Sequence, residues 1–225
     1  MFKSKTRPVV FPQYEHDHLS GALAANWGNE AFDQPTLDFG AFVQGVLLHD
    51  WQYGILDNIP IIEAPEADWM AVTRGGVQHC FANPVTDIVV KLHIKRLLSF
   101  DESDERTALK EEIERQVAAR LPESGFTRAD FEWADRITRF CDQVAFDFCF
   151  EQPVQRSLPI CPRRGSTETV EMSYAIGENG EIEVTPWPFG IPTFSGAIIS
   201  YERAGYPDEL TPQSKLYTVR PRQVP

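Results

Sequence analysis

The chain has 225 residues, of which 42% are hydrophobic and 24% charged, and its formal net charge is −12. This balance is typical of a globular protein with a substantial core, and the acidic excess argues against a nucleic-acid backbone or an anionic membrane as the main partner. No apolar run reaches the roughly 18 residues of a membrane span, and we expect no secretory signal. Four cysteines without a CxxC pair favour reduced thiols in a cytoplasmic protein.

Apolar spacing predicts five helices in the first two-thirds of the chain. They cover residues 13–27, 39–49, 83–100, 104–121 and 127–150. A connection punctuated by Pro and Gly fills 51–80, and its length suggests a function or short elements of its own. The fourth helix is rich in charged residues, and only Leu109, Ile113 and Val117 are expected to face the core. We interpret it as a mostly solvated helix whose charges have no functional role.

The composition changes after Pro153, where alternating residues and the pair Asn179-Gly180 predict a β-hairpin. The segments "GAIISYERA" and "KLYTVRP" predict further strands. We therefore predict an α+β protein, mainly α, with a helical bundle over 1–155 and a small antiparallel sheet over 156–225 that packs on the helices. Residues 8–11 are a candidate additional strand of that sheet.

The fifth predicted helix is apolar nearly all round over 140–150, which is typical of a helix buried on several sides. Asp142 and Asp147 lie within this run and point roughly 140° apart, so at least one should face the interior. A buried carboxylate stays charged only beside a cation or several N–H donors. Arg136 and Arg139 are nearby and offer an ordinary buried ion pair as the alternative.

Two further polar features interrupt apolar helix faces. The pair His49–Asp50 ends the second helix directly after an apolar run. His16 lies on the apolar stripe of the first helix, whereas His18, two residues further along, points away from that stripe and is expected to be exposed. A single buried His is commonly a core residue. Together with Asp142, however, these residues supply two imidazoles and two carboxylates, a mixed shell suited to a divalent ion such as Mn, Fe, Mg, Ni, Co or Zn.

The order H…HD…D of these four residues resembles the HD-domain superfamily of metal-dependent phosphohydrolases. The segments "QYEHDHLSGALAANWG", "LLHDWQYGILDN", "FCDQVAFDFCF" and "PWPF" are similar to an uncharacterised bacterial family known only as a domain of unknown function. In that family a His is followed five residues later by Gly, which His16 and Gly21 match, so the ligand role goes to His16 and not to His18. The resemblance implies an HD-domain-like helical bundle that hydrolyses phosphomonoesters or nucleotides.

Other residues near these motifs are candidates for catalysis and substrate binding. Asp50 is a candidate catalytic residue. Because no charged residue follows the HD pair, Glu15 or Asp17, beside His16, is the candidate acid–base group, with Glu15 preferred. Lys91 and Lys95 are four residues apart on one helix face and are candidate phosphate ligands, with Trp51 as an aromatic wall. Each of these residues could equally serve helix solvation or the core.

Two histidines remain unassigned, and His79 and His93 are either second-metal ligands or core residues. The sequence thus predicts a metal-dependent phosphohydrolase acting on a small phosphoester or nucleotide. The alternatives are a non-catalytic HD-like ligand-binding or regulatory protein, and a structural core in which the four polar residues pair among themselves. A small phosphorylated molecule is the expected partner.

Overall fold

The computed structural model describes residues 1–222, which form six α-helices and seven β-strands. The helices are α1 (Gln13–Ala25), α2 (Phe39–Leu47), α3 (Glu66–Gln78), α4 (Pro84–Leu98), α5 (Asp104–Ser124) and α6 (Arg128–Cys149). The strands are β1 (Phe2–Lys3), β2 (Val9–Phe11), β3 (Val154–Ile160), β4 (Val170–Ile176), β5 (Glu181–Thr185), β6 (Phe194–Glu202) and β7 (Pro212–Pro221). Two short 3-10 helices, Trp51–Leu56 and Ile61–Glu63, connect α2 to α3.

All seven strands belong to one curled mixed sheet with the order β1-β2-β6-β7-β5-β4-β3. Neighbouring strands are antiparallel except β5 and β7, which run parallel with Ile182 opposite Val219. The N-terminal strands join this sheet through β2 and β6, where Val9 lies opposite Glu202. The predicted HD-domain-like bundle followed by a small antiparallel sheet is therefore wrong. The division of the chain at residue 155 into a helical part and a β-rich part stays a prediction. Residues 223–225, at the end of the predicted β-rich part, lie outside the described residues.

The helix predictions differ from the structure mainly in the connection 51–80, which contains α3. Two glycines and several polar residues weaken the helical pattern of that segment, so its packing against the 3-10 helix at 51–56 is needed to identify it. The N-cap Asn83 is confirmed, since its side chain accepts hydrogen bonds from two backbone N–H groups. The hairpin at Asn179-Gly180 is also confirmed, with β4 and β5 paired antiparallel and Gly180 at a φ of +82°.

Helix α6 lies between the other helices and the sheet, which explains its apolar character nearly all round. It packs against α1 and α4 and also against β3 and β4. The buried ring of Phe140 meets Trp27 edge-on at 5.7 Å between centroids and Tyr174 at 5.9 Å. Asp147 faces the sheet, where it accepts hydrogen bonds from the Tyr174 hydroxyl at 2.5 Å and from Arg156 Nε at 2.6 Å. Asp142 faces the other helices instead and contacts residues of α1 and α4.

Helices α2 and α4 approach each other closely at Gly45. A Cβ atom placed there would lie 2.7 Å from Cβ of Val89, so only a glycine allows this packing. The contact brings the end of α2 close to α4 and so positions the residues that follow α2. Among residues 1–222, no helix combines the length and the apolar character that crossing a membrane requires.

Candidate metal centre

Two buried imidazoles meet where α1 and the end of α2 come together. His16 is in the first turns of α1, His49 follows α2 by two residues, and both are fully buried. Their Nε2 atoms lie 3.0 Å apart. The Nδ1 atom of His49 is 2.7 Å from the carbonyl oxygen of Val46. Because a carbonyl only accepts, Nδ1 carries a proton, which leaves Nε2 as the nitrogen that a metal ion would bind in place of a second proton.

Two carboxylates complete the cluster. Oδ1 of Asp142 on α6 lies 3.3 Å from His16 Nε2 and 3.5 Å from His49 Nε2. Oδ2 of Asp50 lies 3.8 Å and 3.9 Å from the same two nitrogens. Ligand atoms at about 2.1 Å from an ion are about 3.0 Å apart in octahedral and about 3.4 Å apart in tetrahedral geometry. The spacing and the donor set of two nitrogens and two oxygens therefore fit a divalent ion.

Other polar side chains hold the two carboxylates in place. Nε2 of the buried His93 donates to Asp50 Oδ1 at 2.6 Å, and the Gln13 amide donates to Asp50 Oδ2 at 3.0 Å. Arg96 donates to Nδ1 of His93 at 2.7 Å and to Asp142 Oδ2 at 3.3 Å. His93 is therefore a neutral imidazole whose remaining proton orients Asp50. Such supporting hydrogen bonds typically tune metal affinity by about 10–100-fold.

Two overlapping groups of acidic and imidazole side chains have ligand atoms within 4.8 Å of one another. One group is His16, Asp17, His49 and Asp50, and the other is His49, His93 and Asp142. The candidate ligands are the residues whose oxygen or nitrogen atoms face the two imidazole Nε2 atoms. Asp17 contacts His49 on the Nδ1 side, at 3.5 Å, so it lies behind that imidazole and not across from it.

The electrostatics of the cluster favour a cation. Burial alone would raise the pKa of Asp142, but hydrogen bonds from His16 and His49 outweigh it and hold that pKa well below its usual range. Burial would lower the pKa of His49, yet the charges of Asp50, Asp17 and Asp142 raise it to about 10. Burial also raises the pKa of Asp17 well above its ordinary value. Without a metal, a proton on His49 balances the carboxylates, and a divalent ion would replace that proton.

The structure brings together the four candidate ligands that the sequence singled out: His16, His49, Asp50 and Asp142. The cation beside Asp142 is Arg96 of α4, whereas Arg136 and Arg139, which the alternative interpretation gave as ion-pair partners, are both exposed. Neighbours in sequence were thus the wrong partners, because helix α6 turns them toward solvent.

The other candidates are not part of the cluster. Glu15 Oε2 accepts the backbone N–H of Ile199 at 2.8 Å and so joins α1 to the sheet, while burial raises its pKa. Trp51 packs on the ring of His79 at 4.6 Å and lines a different cavity. The buried amine of Lys91 donates to backbone carbonyls at the end of α3, including that of His79 at 2.6 Å. Lys95 pairs with Glu114 of α5.

A cavity of about 400 Å³ opens onto Asp50 and Asp142. Its other lining residues are Tyr53, Ile61, Ala64, Glu66, Trp69, Leu97, Phe100, Arg106, Gln143 and Phe146. Sequence reasoning missed Glu66, Trp69 and Arg106 in this role. Arg106 belongs to the charged helix that we interpreted as mostly solvated, and it is only 7% exposed. Its position within a solvated-looking sequence offered no signal of burial.

Comparison with known proteins identifies one family. The family model described as "Protein of unknown function (DUF3891)" matches residues 2–200. No curated protein and no solved structure matches the chain.

Proposed function

Because the chain belongs to the DUF3891 family, whose description assigns no function, we propose from its site that it is a divalent-metal-dependent phosphohydrolase acting on a small phosphoester. One observation carries this proposal. Two imidazole nitrogens and two carboxylate oxygens converge on one point, and a cavity opens directly onto the two carboxylates. Four protein ligands leave positions open on a six-coordinate ion for water and substrate.

The nitrogen and oxygen donors of the cluster limit which metal it would bind. Two imidazoles favour Mn, Fe, Co, Ni or Zn over Mg, which prefers oxygen ligands alone. When bound, such an ion would acidify a water molecule and stabilise negative charge on a phosphoryl group. Both functions suit hydrolysis of a phosphoester.

The chain's own residues support this chemistry in separable ways. His93 and Gln13 fix both oxygens of Asp50, and Arg96 fixes the second oxygen of Asp142. These contacts preorganise the carboxylates before any ion or substrate arrives. Arg106 lines the cavity and can donate to an anionic group that enters it.

The test uses two histidines of one helix. We would strip the protein of metal, add Mn, Fe, Co, Ni, Zn or Mg separately, and measure metal binding and the turnover of a panel of phosphoesters. His16→Gln should abolish both signals, whereas His18→Gln, at an exposed position of α1, should retain them.

Three outcomes are informative. Metal binding with turnover, lost only in the His16 variant, supports the proposal. Metal binding without turnover of any ester overturns the hydrolase and favours the non-catalytic binding protein. Loss of turnover in both variants would show that helix α1, and not one ligand, was perturbed, and would overturn the ligand assignment.

A further inference from the structure

The cavity beside the cluster has an aromatic and apolar wall. The rings of Tyr53 and Trp69 are stacked with centroids 5.7 Å apart and planes 10° apart. Leu97, Phe146 and the rim residue Phe100 line the same space, and Phe100 is 79% exposed. Flat aromatic side chains of this kind bind flat apolar groups, and an exposed Phe at a rim favours a ligand that covers it.

The charged residues of the cavity lining are few and sum to a net negative charge. Among the described residues that line it, Arg106 is the single cation, against the carboxylates of Asp50, Asp142 and Glu66. A divalent ion on the cluster would bring the lining close to neutrality. A nucleoside triphosphate carries several more negative charges than this lining can pair, and a desolvated unpaired charge is costly.

Arg106 is positioned to bind one anionic group. Its guanidinium lies over the ring of Trp69, 4.9 Å from the centroid, and Nη2 is 2.5 Å from Glu66 Oε1. The Glu66 side chain is 65% exposed, so it can exchange Arg106 for water at little cost. The stacking on Trp69 holds the guanidinium beside the aromatic wall when Glu66 leaves.

We infer that the substrate is a phosphomonoester that joins a single phosphate to a flat, apolar group, such as an aryl phosphate. The phosphate lies between the cluster and Arg106, and the apolar group lies against Tyr53, Trp69 and Phe146. This inference rests on the proposed function and specifies its substrate class. It excludes nucleoside polyphosphates and highly polar sugar phosphates as preferred substrates.

The experiment measures binding of non-hydrolysable probes. Phenylphosphonate and methylphosphonate share the phosphonate and differ in the ring, and neither is cleaved, so affinity is measured without turnover. Calorimetric titrations with saturating Mn²⁺ should show at least about tenfold tighter binding of phenylphosphonate, because burial of a ring removes apolar area from water. Trp69→Leu should reduce this preference several-fold, while Trp51→Leu, outside the cavity, should keep it.

Arg106→Gln should weaken both probes alike, whereas Arg115→Gln, an exposed position of the same helix, should weaken neither. Equal affinity for the two probes, or a phenyl preference that survives in Trp69→Leu, overturns the inference. Turnover of sugar phosphates with equal probe affinities would overturn the substrate class and leave the hydrolase standing. A phenyl preference without turnover of phenyl phosphate would overturn the hydrolase alone.

Discussion

Replacing Asp142 with asparagine removes one negative charge from the cluster and leaves the shape of the side chain nearly unchanged. In the native protein, Oδ1 of Asp142 lies 3.3 Å and 3.5 Å from the two imidazole Nε2 atoms. If that oxygen is a ligand, Asp142→Asn weakens metal binding by more than the 10–100-fold that is typical of a supporting residue.

The magnitude follows from linkage between binding and folding. A metal at about 100 times its Kd stabilises the native state by about 2.7 kcal/mol. For a chain of this length, 1 kcal/mol shifts Tm by about 2–4 °C, so the native protein should gain about 5–11 °C. If the variant's Kd rises about 100-fold, the same metal concentration equals that Kd, and the gain falls to about 0.4 kcal/mol, or about 1 °C.

The assay is thermal unfolding of metal-stripped protein, with and without each divalent metal, alongside direct metal analysis after dialysis. Asp135→Asn is the matched control, since Asp135 also pairs with Arg96 but is not a ligand in our assignment. The control should keep the full shift. A shift retained in Asp142→Asn would refute the ligand role, and a shift lost equally in both variants would attribute the effect to Arg96.

Three further predictions concern stability. Gly45→Ala should lower the free energy of unfolding in urea by about 1–3 kcal/mol, because the added Cβ would lie 2.7 Å from Cβ of Val89. Gly75→Ala is the control and should be neutral or slightly stabilising, since a Cβ there would have no other atom within 4 Å. Lys91→Met should cost about 1–3 kcal/mol, since two carbonyls lose their donor, without changing metal affinity. Glu151→Gln should cost about 2 kcal/mol at pH 7, because Glu151 accepts hydrogen bonds from cationic side chains while only 2% of its side chain is exposed.

The pH dependence of the last variant has a definite sign. Burial alone would raise the pKa of Glu151, but hydrogen bonds from Arg7, Ser4 and Lys215 outweigh it and hold the pKa below its ordinary value of 4.5. The contribution of the carboxylate is therefore fully present above about pH 4.5 and is lost as the pH falls through the lower, folded-state pKa. The difference in Tm between native protein and variant should shrink on acidification, and a constant difference would contradict this assignment.

Equal stability of the Gly45 and Gly75 variants would contradict the close packing of α2 on α4. Native stability of Lys91→Met would contradict the role of the Lys91 amine in holding the end of α3.

Local chemistry was sufficient to predict much of this protein from its sequence. Caps and turns depend on residues a few positions apart, so the cap at Asn83 and the hairpin at Gly180 were predictable. The candidate ligands His16, His49 and Asp142 were recognisable because imidazoles and carboxylates within apolar runs are costly without a partner. The sequence left open whether that partner is a metal ion or another side chain of the chain.

Only the tertiary structure decided which distant residues meet. Strand β1 has only two residues, too few to produce an alternating pattern, and its place in the sheet depends on β2, which pairs with a strand almost 200 positions away. Likewise, Arg106 reaches the cavity because α5 packs beside α3 and α4, although its sequence surroundings are those of a solvated helix. Periodicity therefore predicted the described helices other than α3 and the polar residues inside them, whereas long-range packing decided α3, the strand order of the sheet, the cation beside Asp142 and the wall of the cavity.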